Sequence, residues 1–216
     1  MSKLTIIGGH GKVALLLEPI LIAAGYEVDA VIRDSRQAAD VEGTGANPVV
    51  QDIQRLSTDN LAELLRDSDA VVWSAGAGGG DPARTYAVDR DAAIRTIDAA
   101  AQSDTTRFIM VSYLGAGPDH GVPSDDAFFP YADAKAAADA HLHASGLDWT
   151  IIAPGSLTLD PPTGLIEADP TGPGSVPRAD VAAVIAAALA DPTTVHRTIG
   201  FVSGPTPIAD AVRHGA

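Results

Sequence analysis

The stretch Leu4–Leu17, LTIIGGHGKVALLL, constrains this chain more than any other part of it. The strand-like run LTII leads into two glycines, the chain turns through His10 and Gly11, and an apolar, helix-favouring run follows at once. That order reads as strand, tight turn, helix. Glycine at such a turn permits positive φ and lets backbone N–H groups approach a ligand with no Cβ in the way. The helix behind it offers unpaired amides and the positive end of its dipole. The turn is an anion cradle, in which the main-chain amides of Gly8, Gly9, His10, Gly11, Lys12 and Val13 would hold the diphosphate of a dinucleotide. Gly8, Gly11 and Ala14 give G-x-x-G-x-x-A, looser than G-x-G-x-x-G, with alanine accepted at the last position for helix–strand packing. A tight turn with no ligand has the same spacing, so the rest of the chain must decide.

Short apolar runs recur at Leu4–Ile7, Val28–Ile32, Pro48–Val50, Ala70–Trp73, Phe108–Val111, Trp149–Ile152 and Ile199–Val202. Helix-compatible segments lie between most of them, near Lys12–Ala24, Ser35–Glu42, Asn60–Arg66, Arg84–Ala101, Tyr131–Ala144 and Arg178–Ala190, with Gly25 and Gly146 as stops for two. Strands apolar on both faces and alternating with helices predict an α/β protein with a doubly wound parallel sheet in three layers. A chain of 216 residues, 46% of them hydrophobic, suffices for one domain spanning 1–216. Gly115–Pro130 and Pro154–Pro177, rich in Gly, Pro and Asp, break the rhythm and read as irregular functional loops beyond strand ends.

A net charge of −14 argues against nucleic acid or an anionic membrane as partner. The absence of cysteine excludes disulfides, thiolate nucleophiles and Cys-ligated zinc. No apolar run is long enough to span a bilayer and no basic leader precedes the first strand, so a soluble, cytoplasmic protein is expected. The histidines lack metal-ligand spacing, and VSYLG is not a nucleophile elbow, so neither a metal nor hydrolase chemistry is expected.

Arg33, in VIRD at the end of the second strand, bears on cofactor choice. An acidic residue there would bond the adenosine ribose hydroxyls, whereas a guanidinium offers charge-assisted bonds to a 2′-phosphate. Arg33 therefore leans towards NADP(H), with Arg36 able to help; NAD(H) is recovered if the neighbouring Asp34 points inward. Asp52, followed by Ile53 after the third strand, either accepts from the adenine amino group or caps a turn. Ala75, Gly76 and Ala77, opening AGAGGG after the fourth strand, would let a cofactor lie close across the sheet edge; a flexible loop with no ligand has the same composition.

Tyr131 and Lys135 form Y-x-x-x-K, which places ring and ammonium on one helical face. Tyrosine needs a cation to shift its ordinary pKa of about 10 towards neutrality, and Lys135 would supply one while also holding ribose hydroxyls. Ser112, at the end of the fifth strand in FIMVSYLG, would orient a substrate oxygen towards Tyr131. Phe128 and Phe129 either wall a substrate pocket or anchor the loop to the core.

Taken together, TIIGGHGKVALLL, VIRD, VVWSAGAG, FIMVSYLGAG, YADAKAAADAHLHASGLDWTIIAPGSLT and VPRADVAAVIAAAL resemble the atypical short-chain dehydrogenase/reductase family, from the first strand to the last. The chain is similar to its single-domain NAD(P)H-binding subgroup, which includes NmrA-like and biliverdin/flavin reductase-like members. The resemblance implies a Rossmann fold, Ser112, Tyr131 and Lys135 as the catalytic set, and Ala153, Pro154, Gly155 and Ser156 beside the nicotinamide. It also implies that Ala75 and Gly76 flank the cofactor ribose. The family's tetrad asparagine has no counterpart, since Asn47 and Asn60 are the only asparagines and both lie upstream of the fourth strand. The expectation is an NADP-dependent oxidoreductase acting on a small carbonyl or alcohol. The alternative is an NADPH-sensing regulatory protein of NmrA-like type with little or no turnover. A nucleotide-sugar epimerase is weakened by the short C-terminal region. A homodimer through the Arg84–Ala101 and Tyr131–Ala144 helices is a further possibility of the sequence.

Overall fold

Residues 2–214 are described by the structure, a computed structural model. Along the central strands, successive side chains enter opposite cores, as a sheet covered on both faces requires. In β1 (Lys3–Ile7), Leu4 and Ile6 join one core and Ile7 the other; in β4 (Ala70–Trp73), Val72 is separated in the same way from Val71 and Trp73. β5 (Arg107–Val111) repeats the division with Ile109 against Phe108 and Met110. This is why their sequences read as continuous apolar runs rather than alternating ones.

The first core packs under α1 (Ala14–Ala23), α2 (Ala38–Glu42), α7 (Arg178–Ala190) and α8 (Ile208–His214). The second packs under α3 (Thr58–Leu65), α5 (Ala93–Gln102) and α6 (Phe129–His143). With β2 (Glu27–Ile32), β3 (Asn47–Val50), β6 (Asp148–Pro154), β8 (Leu165–Ala168), β10 (Arg197–Ser203) and β11 (Thr206–Pro207), the strands form one nine-stranded sheet. Its order is β11-β8-β10-β6-β5-β4-β1-β2-β3. Every pair from β3 to β10 is parallel; β8 and β11 close the far edge antiparallel. This is a single-domain, Rossmann-like α/β fold. The strand order reverses between β1 and β4, and in such sheets the crevice beyond those carboxyl ends is where ligands bind.

The predicted stop at Gly25 is present. Its φ of +89° ends α1 while its own amide donates to Ile22 O at 3.0 Å and that of Tyr26 to Leu21 O at 3.1 Å. Gly146 does not play that part: α6 is ended by Ser145, whose amide and hydroxyl both donate to Leu142 O, at 3.1 and 2.7 Å. The Pro154–Pro177 region is less irregular than its composition suggests. It contributes β8 to the sheet edge and a small parallel pair, β7 (Ser156–Thr158) with β9 (Ser175–Pro177). Between α4 (Pro82–Thr85) and α5 the helix widens into a π-helical stretch, Tyr86–Ala92, where sequence periodicity predicts a regular helix.

One buried carboxylate sits under the first helix. Glu18 is fully buried; its Oε2 accepts from Thr44 Oγ1 at 2.8 Å and its Oε1 has no partner. Burial pushes its pKa from 4.5 up to about 7, against the opposing effects of Thr44 and His10. The unfolded chain ionises this group near its ordinary value, so stability falls as pH rises from about 4.5 to about 7 and then levels off. Glu18→Gln keeps the Thr44 contact and removes the ionisation. Its thermal stability relative to the parent is expected to grow between pH 5 and pH 8, by about 1–3 kcal/mol in urea titrations. A difference independent of pH would show that Glu18 is ionised at no cost.

Candidate cofactor cleft

β1 and β4 pair in register, Ile7 opposite Trp73, so the loops that leave them meet at one level. A Cβ on Gly8 would lie 2.6 Å from Ala75 Cα, and Gly8 has φ +90°, so both the contact and the conformation require glycine. The amides of Gly8 and Gly9 fold over the end of β2, donating to Val31 O at 3.1 and 2.9 Å, and Gly11 N closes the turn on Gly8 O at 2.9 Å. α1 then follows Val13, its N-cap residue, with no side-chain cap and no acidic residue in its first turn. Among the described residues, the amides of His10, Lys12 and Val13 donate to nothing. They form the uncompensated positive end that an anion would complete.

This loop forms one wall of an open cleft of about 230 Å3, to which Gly8, His10 and Gly11 contribute directly. Arg33, Asp52 and Ile53 stand at one end, and Ala75 and Gly76 at the other. Arg33 is solvent-exposed and makes no ion pair among the described residues. Asp34 is turned away: it caps the short helical turn Ser35–Gln37 by accepting Arg36 N at 3.0 Å and pairs with the Arg36 guanidinium, which holds its pKa down at about 2. Asp52 accepts Gln54 N at 3.2 Å and pairs with Arg55 at 3.3 Å, so it caps a turn while bordering the cleft. His10 Nε2 is 2.8 Å from Asp40 Oδ2.

Ser112, Tyr131 and Lys135 lie outside the wall of this cleft, and no hydrogen bond joins them to one another. Ser112 Oγ donates to Asp139 Oδ2 at 2.5 Å. Lys135 is 1% exposed; its Nζ donates to Val111 O at 2.7 Å and contacts Met110 Sδ at 3.2 Å. Burial pulls the Lys135 pKa down, opposed by Asp139 and Asp89. Burial pushes both carboxyls up, opposed at Asp89 by the Ala77 amide and Lys135, and at Asp139 by Lys135 and Ser112. Tyr131 packs with Tyr113 and Phe128, ring centroids 5.6 and 5.2 Å apart. Burial drives its pKa well above the ordinary phenol value, and Asp89, Asp139 and Tyr113 add to the rise. Phe129 packs edge-on against His120.

Ala77 is also off the wall, its amide donating to Asp89 Oδ2 at 2.9 Å. The π-helical stretch that carries Asp89 aims this carboxylate at the loop after β4. Ala153 and Pro154 end β6, with Gly155 N on Phe201 O and Ser156 N on Gly174 O, both at 2.8 Å; none of the four borders the cleft. Sequence reasoning missed Gln37, Gln54, Ser74 and Arg84 on the wall. Arg84 is half-buried with an unpartnered Nε, and its signal was its place as the first cation after AGAGGG. No cluster among the described residues would hold a metal ion, and none of their helices is long and apolar enough to cross a membrane.

A family profile described as NAD(P)H-binding matches residues 8–192. The uncharacterized sugar epimerase YhfK of Bacillus subtilis is 35% identical over 98% of this chain and 99% of its own length. A solved structure from Bacillus halodurans, provisionally named an NAD-dependent epimerase/dehydratase, superposes with TM-score 0.90 at 33% identity, over 98% of this chain and 99% of its own. The anaerobillin reductase ChuY of Escherichia coli O157:H7 superposes with TM-score 0.77 at 25% identity, over 95% of this chain and all (100%) of its own.

Gly8→Ala tests the loop. The strained φ alone is expected to cost about 1–3 kcal/mol of stability in a denaturant titration. Displacement of Ala75 is expected to weaken nicotinamide-nucleotide binding at least about tenfold by calorimetry. Undiminished affinity would mean that the loop does not hold the ligand.

Proposed function

The chain belongs to the NAD(P)H-binding family of atypical short-chain dehydrogenase/reductases, and from that membership we propose that it is an NADP(H)-dependent oxidoreductase acting on a small carbonyl or alcohol. The observation that carries the reading is that His10 of the glycine loop, whose amide is free, lines one cleft at the sheet's switch point together with Arg33 and Arg84, with the free amides of Lys12 and Val13 following directly in the chain. Adenine would lie at the Asp52–Ile53 end and the diphosphate on the amides of His10, Lys12 and Val13. Arg33 would take the 2′-phosphate, a choice supported by the engagement of Asp34 with Arg36. When bound, the reduced nicotinamide supplies a hydride. Tyr131, kept protonated by burial, would give its proton to the substrate oxygen, and Ser112 would orient that oxygen once its hydroxyl turns from Asp139. Lys135 does not lower the Tyr131 pKa as the Y-x-x-x-K spacing suggested, since burial and then Asp89, Asp139 and Tyr113 hold that phenol above its ordinary value; its ammonium instead donates to Val111 O at the end of β5.

A second reading is favoured by one observation. The Ser112 hydroxyl is committed to Asp139 and the Lys135 ammonium to Val111 O, an arrangement suited to a protein that binds NADPH and turns over little. The experiment that separates the two follows NADPH absorbance across a panel of aldehydes, ketones and quinones. An enzyme consumes NADPH with at least one of them, and Tyr131→Phe lowers kcat by about a hundredfold or more while leaving NADPH affinity within about threefold. NADPH binding with no consumption across the panel would favour the sensor. Arg33→Ala is expected to weaken NADPH by about 10–100-fold and NADH hardly at all. Equal losses would remove Arg33 from the 2′-phosphate.

A further inference from the structure

A second cavity, of about 270 Å3, lies between α6 and strands β6 and β10 and shares no wall residue with the cofactor cleft. Ala136, Asp139, Ala140 and His143, spaced to share one helical face, form its helix wall, and Ile151, Ala153, Thr198 and Gly200 form its floor. The loop after β5, from Tyr113 to Pro118, closes one side.

Two wall residues carry buried polar atoms with no partner: Asp139 at Oδ1 and Tyr113 at its hydroxyl. Asp139 is 6% exposed, and a buried carboxylate oxygen left without a donor bears its full desolvation penalty. Ser112 Oγ is bonded to Oδ2, and Lys135 Nζ donates to Val111 O and contacts Met110 Sδ, so neither neighbour is bonded to Oδ1. The cavity that Asp139 and Tyr113 both border is the open side from which a further donor can reach them. Charge narrows the choice. Asp139 and Asp169 border the space, His143 is the only basic residue on the wall, and the chain as a whole carries −14. An anionic ligand is disfavoured there and a cation attracted. The remaining surface, with Leu114, Ala136, Ala140, Ile151 and Ala153, is apolar.

We propose that this cavity binds a compact primary amine carrying an apolar ring or chain, whose ammonium donates to Asp139 Oδ1 and the Tyr113 hydroxyl. The volume suits a ligand of roughly ten non-hydrogen atoms. The site stands on its own, whichever reading of the cofactor cleft holds.

Benzylamine is the probe, with benzyl alcohol and benzoate as controls of the same shape, read from proton–nitrogen correlation spectra of the labelled full chain. Benzylamine is expected to shift the amides of Tyr113, Ala140 and Thr198 saturably, with a dissociation constant of about 0.1–1 mM, benzyl alcohol at least about tenfold more weakly, and benzoate not at all. Thr198→Phe and Ala140→Leu fill the cavity from exposed wall positions. Each is expected to abolish saturation without altering the melting temperature or nucleotide binding. Asp139→Asn, which keeps an acceptor for Ser112, is expected to weaken benzylamine about tenfold and leave benzyl alcohol unchanged. The proposal is overturned by shifts that never saturate, by an equal response to benzoate, or by saturation that survives both cavity-filling variants. A crystal soaked in benzylamine that shows an ordered water only between Asp139 and Tyr113 also overturns it.

Discussion

The contact between Gly8 and Ala75 is the constraint on which the site depends. Parallel pairing of β1 with β4 brings the two chain exits to one height, and Ser74 N donates to Ile7 O at 2.9 Å just before they diverge. A side chain on the first exit has no room. Glycine resolves the collision and, through its positive φ, turns the chain across β2, whose Val31 O accepts both loop amides. The first turn of α1 is thereby delivered directly after the glycine loop that lines the switch-point cleft. The anion cradle is thus a consequence of packing three parallel strands closely, and the entropic cost of glycine is offset by a loop that needs no side chain to hold its shape.

Beyond the cradle, the energetics centre on a buried cation set between two buried carboxylates. Lys135 lowers both Asp89 and Asp139 and is raised by each of them, yet none of the hydrogen bonds that hold the three runs between them; they go to Val111 O, Ala77 N and Ser112 Oγ. Such a cluster gains little over an apolar core, and its geometry must be fixed from outside. Here β5, the loop after β4 and the π-helical stretch do so. The excess negative charge is felt at Tyr131, where it adds to burial and favours the phenol over the phenolate. An arrangement that keeps the proton on Tyr131 suits proton donation better than abstraction.

The parts of this architecture that were legible in the sequence share one property: many residues repeat the same message. Seven apolar runs, six helical segments and a glycine turn before an apolar helix are redundant signals, and each corresponds to an element at nearly the expected place. β7, β9 and β11 are two or three residues long and held by neighbours remote in sequence, so no local pattern announces them. The π-helical stretch escaped because its residues carry no local signal of widening, and the contact it makes, Asp89 with the Ala77 amide, is to a loop twelve residues earlier. Asp139 was not singled out by the sequence, although it lies four residues beyond Lys135 on the same helical face. Its bond to Ser112 was not legible there, because that bond depends on how α6 lies over β5.

The dipeptide Arg33-Asp34 shows where sequence reasoning stops and geometry takes over. Adjacent side chains at a strand end diverge, so composition alone leaves open which of them borders the cleft. The structure decides it through a residue further on. Arg36 binds Asp34 while Asp34 caps the turn that carries Arg36, and the pair closes on itself away from the cleft. Arg33 is left at the mouth with its charge uncommitted. In a chain with a net charge of −14 the long-range field opposes an anionic cofactor, and solvent ions screen that field beyond about 8–10 Å. Affinity for a phosphate must then come from contacts inside that radius, which at this cleft means the free amides of the loop, Arg33 and Arg84. The acidity of the chain therefore sharpens the argument for those groups, because nothing more distant can supply the attraction.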